Sequence, residues 1–226
     1  MSTPESHPAL LFEYSDPGTA VPLETFNAWY DAEHMPAQAA IAGFHTGVRY
    51  KAIDAQDPPW LALYDVASTD VLDSAAAQFP GASASANILA LLPTYERRVY
   101  TLAASRTHPA VQPPHEFLYV VSADIRPDAA DAFHVRHDGE QTDAFSRVPG
   151  WRRMRRCVLH SHAEHGAAAQ RGEARPLKYL VIHEWTNAEF ADSPEYVALV
   201  AALHLSEMAQ AILGLEIRVF ELYQKE

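Results

Sequence analysis

The segments AGFHTGVRY (residues 42–50) and PGWRRMRRC (residues 149–157) lie 107 positions apart in this chain of 226 residues. The same offset places Ser15 on Ser122. Self-similarity that keeps its order and spacing over several segments is the signature of a repeated structural unit. The sequence therefore predicts two divergent copies of one unit.

Further along the chain the offset between the copies grows to 119, where WLALYDV (60–66) overlies YLVIHEW (179–185). The second copy carries an insertion at residues 160–176, which we expect to be a surface loop because insertions cost little there. The predicted domains are a first half at 1–106, a linker at 107–115 and a second half at 116–226.

The hydrophobic pattern predicts the order strand, helix, two strands, helix and strand in each copy. In the first copy, LLFEY (10–14) is typical of a strand, and residues 22–34 are typical of a helix with one apolar face. In the second copy, Ser193 is the expected cap of a late helix. A βαββαβ unit forms an antiparallel sheet with both helices on one face.

The face of each sheet without helices would be exposed, although it carries many apolar residues. Packing the two copies sheet to sheet would bury both of these faces. We therefore predict an α+β fold, in which tandem ferredoxin-like βαββαβ repeats form an α/β barrel within one chain.

The net charge of −12 argues against nucleic-acid and anionic-membrane partners, since both are bound through clustered Lys and Arg. No apolar run approaches the ~20 residues of a membrane span, and the N-terminus does not resemble a signal peptide. Cys157 is the only cysteine. It is expected to pack in a strand rather than act as a nucleophile, and a reducing cytoplasmic location is the simplest inference.

The first copy contains FNAWYDAEHMPAQAAIAGFHTGVRYKA (26–52), followed by WLALYDVAS (60–68). This resembles the EthD-like branch of the dimeric α/β-barrel superfamily, where a helix reading W-Y-x-x-E-H-x-P precedes a G-F strand start and an L-x-L-Y-[DE] strand. The second copy departs from this signature. It has Arg136, His137 and Gln141 at the positions corresponding to Trp29, Tyr30 and His34.

Familiar members of the superfamily build the barrel from two chains, so the resemblance implies that one chain supplies both halves here. The superfamily includes cofactor-free cyclases, decarboxylases, dehydratases and monooxygenases of aromatic polyketides, and haem-dependent branches. A fold of this kind does not decide the reaction.

Several residues could carry acid–base chemistry. His34 is the signature histidine, and imidazole ionises near neutral pH; the alternative is a helix-terminating residue bonded to backbone carbonyls. Alternation along the strands places Trp60 with Tyr64 on one face, and Tyr179 with His183 on the equivalent face of the second copy. These faces either line a pocket or form a polar core.

Glu13 lies in the middle of a strand, where it is expected to pair with Arg97 or Arg98 or to act as a carboxylate with a raised pKa. HSHAEH (160–165) is expected to be solvated rather than to bind a metal. The predicted catalytic residues are His34, Tyr64, His183, Tyr30 and His137, and the predicted substrate-binding residues are Trp60, Tyr179, Glu13 and Trp29.

The sequence favours a cofactor-independent enzyme of lyase or isomerase type, such as a cyclase, dehydratase or decarboxylase. His and Tyr would transfer protons on an apolar substrate of aromatic or polyketide-like character. The alternatives are a non-catalytic small-molecule binder or accessory protein, and a cofactor-free monooxygenase. We expect a small-molecule partner, no cofactor and no metal, and a homodimer of the two-repeat chain as an alternative to a monomer.

Overall fold

The computed structural model contains a closed barrel of eight β-strands and describes residues 8–74, 83–108, 115–165, 175–204 and 207–223. The strands are β1 (Ala9–Asp16), β2 (Val48–Ala52), β3 (Trp60–Val66), β4 (Thr94–Thr107), β5 (Phe117–Ile125), β6 (Trp151–His165), β7 (Tyr179–Trp185) and β8 (Ile212–Leu222). Their order around the barrel is β1-β3-β2-β8-β5-β7-β6-β4. The α+β class and the barrel confirm the predicted fold.

The chain divides into two compact units. Unit 1 consists of Met1–Leu102, Leu159–Pro176 and Tyr223–Glu226, and unit 2 consists of Ala103–Val158 and Leu177–Leu222. The predicted division at the linker 107–115 stays a prediction, because residues 109–114 lie outside the described part of the chain.

In unit 1, β1 pairs antiparallel with both β3 and β4, and β3 pairs with β2. The helix after β1 has three segments, and two further helices precede β4 within the described ranges. The bounds are Leu23–Trp29, Tyr30–His34, Met35–Ala39, Thr69–Asp73 and Ser83–Leu91. The middle segment, Tyr30–His34, has π-helical hydrogen bonding.

The helix after β1 does not end at His34, as the sequence had suggested, but continues through Met35–Ala39. Pro36 lacks a backbone N–H and would collide with the carbonyl four residues earlier in a regular helix. The wider π turn immediately before it accommodates the ring. His34 therefore lies inside a helix rather than at its end.

Unit 2 has the same topology, with β5 paired to β7 and β8, and β7 paired to β6. Its helical segments are Pro127–Ala129, Ala130–Arg136, His137–Gln141, Thr142–Ser146, Ala188–Asp192, Pro194–His204 and Glu207–Ala211. Ser193 caps the helix Pro194–His204 as predicted, since its hydroxyl accepts the backbone N–H of Tyr196 at 3.2 Å.

Each unit packs its helices on one face of its sheet. In unit 1, Phe26 and Trp29 of the helix meet Leu11 and Trp60 of the strands. In unit 2, Phe145 and Phe190 meet Tyr119 and Trp185. Side chains on alternate strand positions therefore face the helices, which is where the site residues lie.

The strand register corrects one equivalence between the copies. Ser15 pairs with Trp60, whereas the residue that pairs with Tyr179, the counterpart of Trp60, is Ala123 and not Ser122. The first strands therefore correspond with an offset of 108. A register error of one residue exchanges the two faces of a strand. The offset of 108 therefore decides which residues of β1 and β5 occupy equivalent positions.

Another expectation is corrected by β6. The strand runs to His165, so residues 160–165 belong to it rather than to a surface loop; residues 166–174 of the predicted insertion lie outside the described part. Arg155 and Arg156 of the same strand are buried, and they pair with Glu184 and Asp138. No helix among the described residues is long and apolar enough to cross a membrane.

Candidate functional site

A buried polar cluster surrounds Glu13 in unit 1. The side chain of Glu13 is fully buried. Its Oε1 accepts a hydrogen bond from Nε of Arg97 at 3.0 Å, and the two side chains form one of the ion pairs predicted from the sequence. The Tyr30 hydroxyl donates to Oε2 at 3.0 Å. The Gln38 amide nitrogen lies 3.0 and 3.1 Å from the two oxygens. The carboxylate is thus surrounded by donors.

These donors keep Glu13 ionised. Burial raises the pKa of Glu13, but the hydrogen bond and charge of His34, the charge of Arg97 and the Gln38 hydrogen bond outweigh it and lower the pKa to about 2. Glu13 is therefore a charge that stabilises its neighbours, with little capacity left to bind a ligand.

His34 contacts side chains rather than backbone carbonyls. Its Nε2 lies 3.3 Å from Oε2 of Glu13, 3.0 Å from the Tyr95 hydroxyl and 2.9 Å from the Gln38 amide nitrogen. Its Nδ1 has no hydrogen-bond partner among the described residues. The imidazole also packs against Trp29, with ring centroids 4.8 Å apart.

The phenols of the cluster are neutral. Burial, followed by the negative charge of Glu13, raises the pKa of Tyr30, Tyr64 and Tyr95 well above its ordinary value. Trp60 packs beside them, and the guanidinium of Arg49 lies 4.7 Å from its ring centroid. The predicted residues of the first copy therefore come together in one closely packed network.

Unit 2 contains a cavity of about 330 Å³ between its sheet and its helical segments. Most of its lining is apolar, with polar groups contributed mainly by two histidines and a glutamine. The lining includes Val121, Phe145, Val181, Leu215, Ile217, His137, Gln141, Tyr179 and His183. Such a concave, mostly apolar space with a few polar groups is the usual form of a small-molecule site.

The cavity occupies the position that the polar cluster fills in unit 1. The strand pairing relates Glu13 to Val121, Arg97 to Ile217 and Tyr95 to Leu215. On the helix, where the π segments begin at Tyr30 and His137, the offset of 107 holds. It relates His34 to Gln141 and Gln38 to Phe145. Each of these unit 2 residues lines the cavity.

His183 is the most buried of the polar residues that line the cavity. It occupies the position of Tyr64, and its Nδ1 accepts a hydrogen bond from the indole N–H of Trp151 at 3.2 Å. Its ring lies against Phe145, with centroids 4.0 Å apart. Burial, followed by the neighbouring His137, lowers the pKa of His183 well below its ordinary value. The ring is therefore neutral at pH 7.

His137 is the second imidazole of the cavity. Its ring centroid is 5.8 Å from that of His183, and its Nδ1 lies 3.8 Å from a carboxylate oxygen of Asp138. Asp138 is held by two hydrogen bonds from Arg156, at 2.7 and 2.6 Å. Unit 1 has the equivalent ion pair, in which Nη1 of Arg49 lies 2.8 Å from Oδ1 of Asp31.

The structure thus sorts the predicted residues into two groups. His183, His137 and Tyr179 line the cavity, whereas His34, Tyr64, Tyr30, Trp29, Trp60 and Glu13 belong to the cluster of unit 1. Gln38, Tyr95, Trp151 and Gln141 were missed. The sequence could have indicated Gln38, because it follows His34 by four residues and side chains at that spacing are neighbours on a helix. The role of Trp151 could not be predicted in this way, since it depends on the contact of its side chain with His183.

No arrangement of three or more His, Cys, Asp or Glu side chains able to hold a metal ion occurs within the described ranges. The histidines of HSHAEH lie along β6, where His160 is 3.6 Å from Asp73.

Comparisons with known proteins identify the fold. The sequence matches no known protein family and no curated protein. Among solved structures, an anthrone oxidase-like protein has a TM-score of 0.66 at 10% identity, over 99% of this chain and 94% of its own.

A proposed monooxygenase from Fusobacterium nucleatum has a TM-score of 0.60 at 7% identity, over 97% of this chain and 94% of its own. A proposed monooxygenase from Lactobacillus acidophilus has a TM-score of 0.60 at 10% identity, and the match covers 96% of this chain and 94% of that protein. At these identities the likeness shows a common fold and does not transfer an activity.

Proposed function

We propose that the chain is a cofactor-independent enzyme that binds a small, apolar, aromatic or polyketide-like molecule in the cavity of unit 2 and transfers a proton on it. The observation that carries the proposal is the pair of imidazoles, His183 and His137, at the wall of a mostly apolar cavity. In mostly apolar surroundings, such groups act more strongly than they do in solution.

The two histidines would have different roles. His137 would accept a proton from a carbon next to the substrate carbonyl, leaving an enolate. His183, neutral and held by Trp151, would donate its Nε2–H to the enolate oxygen. The enolate could then expel a β-hydroxyl group, which takes the proton held by His137 and leaves as water, or it could attack a second carbonyl of the same molecule and the new alkoxide would take that proton. These are the dehydratase and cyclase reactions favoured by the sequence.

We place this chemistry in unit 2 rather than with His34, Tyr64 and Tyr30. The hydrogen bonds of the unit 1 cluster converge on Glu13 and are made by the protein itself. We infer that these residues support the fold of unit 1, although the resemblance to the EthD-like branch had favoured His34.

A cofactor-free monooxygenase is the second candidate. The structural neighbours named as anthrone oxidase-like and as proposed monooxygenases favour it. The same initial step would serve this reaction, because an electron-rich enolate can react with dioxygen directly. Dioxygen uptake that depends on substrate would identify this candidate, and its absence during turnover would favour the lyase or cyclase.

The experiment that tests the proposal follows deuterium exchange at the carbon beside the carbonyl of β-tetralone, a bicyclic aromatic ketone, in deuterium oxide. We expect the wild-type chain to accelerate exchange, and His137→Gln to lose about 10²–10⁴-fold of the acceleration, as for a general base. His160→Gln is the matched control, because His160 is exposed and lies outside the cavity lining. Binding without accelerated exchange would favour a binding protein.

A further inference from the structure

Trp151 contacts His183 through a hydrogen bond whose direction is fixed by chemistry. The indole N–H can only donate, so Nδ1 of His183, at 3.2 Å, must present its lone pair. A neutral imidazole has one proton, and burial favours the neutral form of His183. The proton therefore resides on Nε2.

The Nε2–H of His183, whose side chain lines the cavity, is a buried donor. It has no hydrogen-bond partner among the described residues, and the side chain is 1% exposed. A buried donor without a partner costs roughly 1–3 kcal/mol. A ligand oxygen placed beside Nε2 would recover this cost, whereas a hydrocarbon would leave it in place.

The contrast with unit 1 supports a role in recognition. The equivalent residue, Tyr64, lies in a cluster where the Arg97 guanidinium and the Gln38 amide both donate to the Glu13 carboxylate. In unit 2 the positions of that carboxylate, guanidinium and amide are taken by Val121, Ile217 and Phe145. His183 retains a polar group where its surroundings have become apolar.

We infer that Trp151 is a positioning residue that holds His183 as an Nε2–H donor, and that the cavity thereby selects apolar ligands carrying a carbonyl or phenolate oxygen. The inference deepens the proposed function and rests on it for the use of the cavity as a ligand site. Gln141 also lines the cavity and can donate, so a test of the role of His183 needs a separate variant of Gln141.

The first measurement is heteronuclear NMR of isotope-labelled histidine rings in the ligand-free protein, which reports which ring nitrogen of His183 carries the proton. We expect the Nε2–H form alone in the wild-type chain and a mixture of both forms in Trp151→Phe, which retains an aromatic ring. Trp151→Phe should keep the circular dichroism spectrum of the wild type. A proton on Nδ1 in the wild type, or an unchanged form in Trp151→Phe, would overturn the positioning role.

The second measurement compares the affinities for β-tetralone and for tetralin, the matched hydrocarbon. We expect the wild-type chain to prefer the ketone by about tenfold, the equivalent of one hydrogen bond. His183→Phe should reduce the preference to about one, whereas Gln141→Leu should retain most of it. If Trp151→Phe does not fold, His183→Phe still tests the ligand class.

The outcomes distinguish the inference from the function on which it rests. Equal wild-type affinity for the two probes would overturn the ligand class and leave the proton-transfer proposal in place. Loss of the preference in Gln141→Leu but not in His183→Phe would assign recognition to the amide and overturn the role of His183. Failure of both probes to bind the wild-type chain would overturn the proposed function as well.

Discussion

Glu13 and Val121 occupy the same position in the sheets of their units: Glu13 lies opposite Arg97 in the strand pairing, and Val121 lies opposite Ile217. One topology therefore holds a buried ion pair in one unit and two aliphatic side chains in the other. Around the ion pair the space is filled by hydrogen-bonded side chains, and around the aliphatic pair a cavity of about 330 Å³ is present.

Removing one member of the Glu13–Arg97 pair should destabilise the chain more than removing both. Glu13→Val or Arg97→Ile alone would leave a buried charge without its main partner, at a cost of about 3–5 kcal/mol each. The double variant should lose clearly less than the sum. Urea denaturation of the four proteins measures the coupling, and the exposed pair Arg126–Asp128 is the control, expected to show little coupling. Additive losses at Glu13 and Arg97 would contradict the account.

Stability should fall in acid partly because of Glu13. Its pKa is lowered from 4.5 to about 2 in the folded chain, so the unfolded state binds a proton first as the pH falls. The contribution is present above pH 4.5 and is lost as the pH falls towards 2; the shift corresponds to about 3 kcal/mol.

Glu13→Gln should therefore show a smaller decrease in the free energy of unfolding between pH 6 and pH 3 than the wild type. The double variant Glu13→Val, Arg97→Ile offers the same comparison if Glu13→Gln is too unstable to measure. Parallel pH profiles for the wild type and both variants would contradict the assignment.

His183 should stay neutral under mildly acidic conditions. Its pKa is lowered in the folded chain, so the unfolded state gains the proton first and stability decreases as the pH falls below the ordinary histidine range. His183→Phe should flatten this decrease between pH 7 and pH 5. The matching NMR titration should show no shift of the His183 ring resonances over that range; a normal titration curve would refute the buried neutral imidazole.

The cavity should tolerate a larger side chain that the first unit rejects. Val181 lines the cavity, and Ala62 holds the same position in the close-packed core of unit 1. Val181→Phe should keep the fold and weaken β-tetralone binding. Ala62→Phe should cost about 1–3 kcal/mol through overpacking. Thermal unfolding and ligand titration measure both effects, and equal destabilisation by the two substitutions would argue against an open cavity.

The sequence predicted the architecture well because repeats and periodicities are local properties. The alternation of WLALYDV and YLVIHEW placed Tyr64 and His183 on equivalent faces, and the structure shows both facing their helices. The first strand was misaligned by one residue, since a single matching serine could not decide between offsets of 107 and 108. With the offset of 107, the equivalence of Glu13 and Val121 was missed.

The candidate site was harder to predict than the fold. The family resemblance drew attention to His34 in the first copy, whereas the cavity lies in the second copy, where the signature is lost. Whether a space is filled depends on the combined volumes of side chains from several elements. Trp151, for example, bonds His183 from 32 residues away, which no periodicity reveals.

A crystal structure of the chain with β-tetralone tests the central claim most directly, because it locates the ligand and its oxygen together. The account predicts the ketone inside the unit 2 cavity, with its oxygen about 3 Å from Nε2 of His183 and its ring against Phe145. A ketone bound beside Glu13 and Arg97 in unit 1, or one in the cavity with its oxygen turned away from His183, would contradict it.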